Sequence, residues 1–313
     1  MLNQGRSPEG PLMTYFSRRR TLTATLVTLP WLSACSGLKP STGTDLTGAD
    51  VAPLASQFAQ LERSAQVRLG VSALDTANGA RIAYRADERF PMCSLFKFLA
   101  AAAILDRGTR EPDLLARRIR YRASGVLEGS PVTQAHLDQG MALSAICEAA
   151  IRYSDNTAGN LMLQVLGGPA AVTAYARTLG DSITRLDRNE PEVNTAFAGD
   201  ERDTSTPAAM LADMQKILLL GALPAREANA LQVWLQGSML GAQRIRAGVP
   251  ADWRVGDKTA GGINGANNDI AMIWPPRRPP ILLTIFVRRP DRTNDGLPKV
   301  IADATKLVAA VYA

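Results

Sequence analysis

Apolar positions along the chain follow two rhythms, and each change of rhythm marks an element. Leu54, Phe58 and Leu61 in "VAPLASQFAQLERSA" share one face of a helix. "VRLGVSALDTANGARIAYRAD" reads as two strands around a Gly-containing turn. In "PMCSLFKFLAAAAIL", Phe98, Ala101, Ala102 and Leu105 return to helical spacing, with Ser94 and Lys97 an i, i+3 pair on one face. "ALSAICEAAIRY" carries Leu143, Ile146, Cys147, Ala150 and Ile151 on one side and stops at "SDN", after which Thr157 is the expected cap of the next helix. Three later helices share one grammar, a Pro in the first turn and a Gly at the stop. They are "GPAAVTAYARTLG", "STPAAMLADMQKILLLG" with Thr206 as cap, and "LPAREANALQVWLQG". Between Gly180 and Thr206 runs a long polar stretch without a period. Loops of that length in a compact domain are usually functional. The chain then returns to strands in "WRVGDKTAGG", "NDIAMIWP" and "PILLTIFVRR", and closes on the helix "LPKVIADATKLVAAVYA".

Strands at both ends with helices between them predict an α/β plus all-α architecture. An antiparallel sheet is built from both chain ends with flanking helices, and a helical domain is inserted. The expected α/β part comprises residues 51–84 and 246–313, the helical part 85–245, with an omega-type loop at 185–203.

The N-terminus changes the picture of where the protein works. "SRRRTLTATLVTLPWLSAC" has a basic cluster at Arg18 to Arg20, a short apolar stretch and a small-residue site. The stretch is too short for a membrane span. Residues 1–34 are the expected signal peptide, of lipoprotein type with a weak twin-arginine pattern. "LSAC" reads as a lipobox with Cys35 as the lipidated residue, followed by a Ser/Thr/Gly-rich tether to residue 50. The expected location is periplasmic, with membrane attachment only through that lipid, and the expected state is monomeric.

The formal charge of +6 is partly the signal's: removing residues 1–34 takes away four arginines and one glutamate and leaves +3. No basic tract alternates with aromatics, so nucleic acid is not a partner. The single histidine, His136, has no Cys or acidic cluster beside it, which argues against a metal centre and a Ser-His-Asp triad. Cys93 and Cys147 read as two buried free thiols.

Lys97 in an apolar element is costly unless it is paired or has work to do. Three motifs in order supply the work: Ser94-Leu95-Phe96-Lys97, Ser154-Asp155-Asn156 and Lys258-Thr259-Ala260, with "RNEPEVN" between the last two. This set resembles the class A β-lactamases, over nearly all of the chain from about Val51. The resemblance implies a β-lactamase/transpeptidase-like fold, a β-lactam substrate and no cofactor or metal. It implies Ser94 as a nucleophile forming an acyl-enzyme. Lys97 takes or relays its proton, with Glu190 the alternative acylation base, and Ser154 passes a proton to the lactam nitrogen. Asn156 contacts the ligand's amide and Lys97. Lys258 presents a fixed positive charge and Thr259 a hydroxyl to the ligand carboxylate. The backbone N–H groups of Ser94 and Gly261 form an oxyanion hole. Glu190 matches the deacylating glutamate, Asn194 helps hold the water, and Glu192 is left to solvent or to a loop salt bridge. Arg188 and Asp203 resemble the ion pair at the neck of the loop.

Several positions depart from the family pattern. Ala260 replaces the glycine of K-T-G, and its methyl is expected to crowd the strand that lines the site. Asn267 stands where many members carry a carboxylate-binding arginine, and Arg244 resembles the alternative arginine. Gly129 stands where an aromatic is common, which widens the entrance. Cys147 matches half of a disulfide of some relatives, but Ala101 occupies the partner position.

Two other readings remain at this level. A penicillin-binding peptidase or lactam sensor shares the three motifs but acylates without turnover. A non-catalytic lipoprotein binding cell-wall fragments needs no Ser–Lys pair.

Overall fold

The computed structural model describes residues 51–289 and 296–312. The expected signal segment 1–34, Cys35 and the tether 35–50 lie outside the described residues. Strands β1 (Arg68–Asp75) and β2 (Arg81–Tyr84) come from the N-terminal side. Strands β3 (Arg254–Gly261), β4 (Ala266–Trp274) and β5 (Ile281–Arg288) come from the C-terminal side. They form one antiparallel sheet in the order β2-β1-β5-β4-β3.

The sheet is covered on both faces, so its central strands read as continuous apolar runs rather than alternating ones. In β5, Ile281, Leu283, Ile285 and Val287 pack with α1 (Val51–Ala65) and the C-terminal helix Leu297–Tyr312, through Phe58, Leu297 and Ile301. Leu282 and Phe286 face the other core, made with the inserted helices. Gly70 on β1 is required by close approach: a Cβ there would stand 2.7 Å from the Phe90 ring and 2.8 Å from Pro207.

At the centre of the helical part is α2 (Phe96–Gly108), whose residues from Phe96 to Leu105 are all buried. It is apolar all round because neighbours cover every side. Around it stand α3 (Leu143–Arg152), α4 (Asn156–Leu166), α5 (Pro169–Thr178), α6 (Pro207–Leu218) and α7 (Ala225–Gln236). Thr206 caps α6 as expected, its hydroxyl accepting from Ala209 N. At α4 the cap is Asp155, not Thr157, and its carboxylate accepts from Ala158 N at 2.8 Å. Asp155 lies just ahead of the first turn, where a carboxylate reaches the free N–H groups. Thr157 instead accepts from Leu127 N and pairs with the Ser130 hydroxyl. Cys93 and Cys147 are buried free thiols.

One buried pair ties the loop's start to α6. Asp213 on α6 is fully buried and neither of its oxygens accepts a hydrogen bond from a donor. Its carboxyl meets that of Asp181, and burial together with the Asp181 charge pushes Asp213 up to about 9. Asp181 moves the other way: its burial is outweighed by hydrogen bonds from Thr184 and the Ile183 and Thr184 amides. Asp213 therefore keeps its proton and donates to Asp181. A raised carboxyl stabilises the fold fully only below its unfolded value near 4. That contribution is lost as pH rises to about 9, with a limiting slope of about 1.4 kcal/mol per pH unit. Asp213→Asn keeps an N–H donor toward Asp181 and carries no proton to lose. Its melting temperature should gain on the unchanged protein as pH rises from about 5 to about 9. Parallel melting curves across that range would contradict the shared proton.

Candidate active site

Ser94 does not belong to α2 itself. It sits in a 3₁₀ turn, Cys93–Leu95, that feeds into the helix at Phe96. The turn runs straight into the helix, so Ser94 and Lys97, three residues apart, share a face and meet directly. Lys97 Nζ donates to Ser94 Oγ at 3.1 Å, Asn156 Oδ1 at 2.8 Å, Ser154 O at 2.7 Å and Ser154 Oγ at 3.4 Å. It also pairs with Glu190 Oε1 at 2.8 Å, and both side chains are completely buried. Burial lowers Lys97's hold on its proton, and the Glu190 charge works against that fall. Gly159 makes room for the ammonium, because a Cβ there would lie 2.8 Å from Lys97 Cε.

Ser94 Oγ donates to Glu190 Oε1 at 3.2 Å. Glu190 is aimed by contacts at both ends. Asn194 Nδ2 donates to its Oε2. On α4, Asn160 accepts from Glu190 N at 2.8 Å and donates to Glu190 O at 2.9 Å. Sequence reading missed Asn160; its only signal is a place one helical turn after Asn156. Among the described residues, Asn194 Oδ1 is buried and accepts no hydrogen bond. Glu192 is exposed, as expected.

Lys258 closes the array from β3. Its Nζ donates to Ser154 Oγ at 3.0 Å and to Thr259 O at 2.5 Å. Burial, then the nearby Lys97 charge, pulls Lys258 well below the usual lysine range, with Asp257 acting in the opposite direction. Ser154 has a left-handed backbone, φ 53°, a strained state for a serine. The Asp155 cap holds the segment by also accepting from Val132 N, Thr133 N and Thr133 Oγ1.

Ser94, Ser154, Asn156, Asn194, Arg244, Thr259, Ala260 and Gly261 all border one open cavity of about 780 Å³. Arg244 Nε donates to Asn267 Oδ1 at 2.8 Å and its Nη1 to Leu240 O, which lays it along the rim. Gly129 borders the same mouth with φ 73°. The Ala260 methyl does not disturb the strand. It is buried, and the ladder runs unbroken through Ala260–Asn268 and Gly261–Asn267.

The neck of the loop is held by Asp203, which accepts from the Asp187 and Arg188 amides at 2.7 and 2.9 Å and pairs with Arg188 Nε. Arg188 keeps a second partner, Asp200, at 3.4 Å. Asp203→Asn retains an acceptor for the amides but loses the charge. With Glu190 serving deacylation, as the sequence resemblance implies, that step should fall about tenfold or more through misplacement of Glu190, with a smaller loss of melting temperature. Normal deacylation with a lowered melting temperature would contradict this. Among the described residues no Cys, His, Asp and Glu group could hold a metal ion.

Comparison with known proteins gives one answer. Residues 53–312 match the model of the β-lactamase enzyme family. The chain is 44% identical over 296 residues to β-lactamase AST-1 of Nocardia asteroides, covering 93% of this chain and 94% of that one. It is 46% identical over 255 residues to the carbapenem-hydrolysing β-lactamase KPC of Klebsiella oxytoca, covering 81% and 87%. Among solved structures, a β-lactamase from Desulfarculus baarsii superposes with a TM-score of 0.83 at 50% identity, over 85% of this chain and 99% of that one. The class A β-lactamase of the last common ancestor of Gram-negative bacteria gives 0.81 at 52%, over 83% and 99%.

Proposed function

This chain belongs to the class A β-lactamase family and is a β-lactam hydrolase, and from that membership we propose how its residues divide the reaction. Ser94 Oγ attacks the lactam carbonyl while its proton passes into the Lys97–Glu190 pair, both members of which it touches. The Ser94 and Gly261 N–H groups receive the developing oxyanion. The lactam C–N bond breaks, and Ser154, joined to Lys97 and Lys258, delivers a proton to the nitrogen. Lys258, Thr259 and Arg244 hold the ligand carboxylate, whose charge favours the protonated form of Lys258. Asn156 takes the side-chain amide. Glu190 then draws a proton from water held with Asn194, and that water hydrolyses the ester.

One observation carries turnover rather than a stalled acyl-enzyme: a buried carboxylate, Glu190, in hydrogen-bond contact with Ser94. It favours the hydrolase over the peptidase or sensor reading. The test is a stopped-flow progress curve with a chromogenic cephalosporin and a penicillin, with protein comparable in amount to substrate. Turnover beyond one equivalent supports the reading. A burst of one equivalent followed by silence restores the penicillin-binding alternative.

The reading extends to location and organisation on sequence grounds. The basic cluster, apolar stretch and "LSAC" support export to the periplasm and a lipid on Cys35. The division into 51–84 with 246–313 and 85–245 is supported by the sheet, whose five strands all lie in the first part. Labelling with a fatty acid, lost in Cys35→Ser, tests the anchor.

A further inference from the structure

Asn268 on β4 points to the same side of the sheet as Ala266 and Ile270, which belong to the core shared with the inserted helices. A carboxamide there, fully buried, is costly unless both of its ends are bonded. Both are: Nδ2 donates to Pro91 O at 2.8 Å, and Oδ1 accepts from Val287 N at 3.3 Å. The other side of the same peptide is held as well, since Met92 N donates to Asp203 O at 2.9 Å. The Pro91–Met92 peptide is thus gripped from the sheet by Asn268 and from the loop neck by Asp203.

The next two residues of the chain depend on that grip. Cys93 is left-handed, φ 47°, a state that a side chain bearing a Cβ adopts only when its surroundings impose it. Ser94 comes next, and its direction is set by the turn that Cys93 begins. We propose that Asn268 is a positioning residue for the nucleophile: it anchors the peptide from which the Ser94 turn rises, and so fixes the Ser94 hydroxyl against Lys97. Glu190 is aimed separately, by Asn160 and Asn194. Loss of Asn268 should therefore separate the two chemical steps.

The inference rests on Ser94 being the nucleophile. The experiment measures acylation and deacylation rates separately, by rapid quench and intact mass, for the unchanged enzyme, Asn268→Ala and the space-filling Asn268→Leu. Acylation should fall about tenfold to a hundredfold, with deacylation within a few fold of normal. Acylation that stays normal in a folded variant overturns the proposal, as does an equal fall in both steps. Failure of both variants to fold also overturns it, since Asn268 is then simply structural. An unchanged enzyme that forms no acyl-enzyme removes the nucleophile reading instead, which keeps the two failures distinct.

Discussion

Glu190→Gln should acylate and then stall, with deacylation slowed by about a thousandfold, within the range expected for losing a general base. The substitution keeps the shape of the side chain. The Asn160 contacts are to the Glu190 backbone and survive, so the loop stays in place. The charge beside Lys97 is lost. Burial already favours neutral Lys97, and removing the Glu190 carboxylate takes away the main opposing influence. A neutral amine 3.1 Å from Ser94 Oγ can still accept its proton, so acylation should fall much less than deacylation. The usual penalty for stranding a buried charge is also reduced, because Lys97 can shed its proton. Rapid-quench mass spectrometry checks this by tracking the acylated fraction with time. Equal losses in both steps would make Glu190 the acylation base as well.

Ser94→Ala should abolish hydrolysis, by about ten-thousandfold or more, while leaving the fold intact. Only one oxygen is removed. Lys97 keeps Glu190, Asn156 and Ser154 as partners, so no buried charge is left alone. The melting temperature should stay near that of the unchanged protein. Steady-state assays with high enzyme, alongside a thermal melt, measure both quantities. A folded Ser94→Ala that retained full activity would point to a protein whose function does not use the Ser–Lys pair.

Much of the fold and site is legible in the sequence because the chemistry is written locally. Ser94 and Lys97 are three residues apart, and Ser154 to Asn156 are contiguous. Helices with a Pro start and a Gly stop are set by local backbone preferences. The sheet is legible as strands at both chain ends, since β1 and β5 are largely apolar. The features that stay hidden depend on distant partners. Asn160 and Asn268 are ordinary polar residues of a helix and a strand when read locally, and their meaning comes from Glu190 and from Pro91, far away in sequence. The Asp181–Asp213 pair forms only when the loop meets α6. Local competition explains the misplaced cap: Asp155 and Thr157 are both capping residues, and the tertiary partners Leu127 and Ser130 take Thr157 out of that role. Lys258 is legible as a lysine in a strand, whereas the burial that weakens its hold on a proton comes from the fold.

The most direct test of Ser94 as the nucleophile and Glu190 as the deacylating base is to locate the covalent adduct. Glu190→Gln is mixed with a penicillin, quenched in acid, digested and mapped by mass. One intact penicillin per chain is expected, on the peptide carrying Ser94. An adduct on any other residue, or hydrolysis by the unchanged enzyme with no adduct trapped in the variant, would contradict both roles.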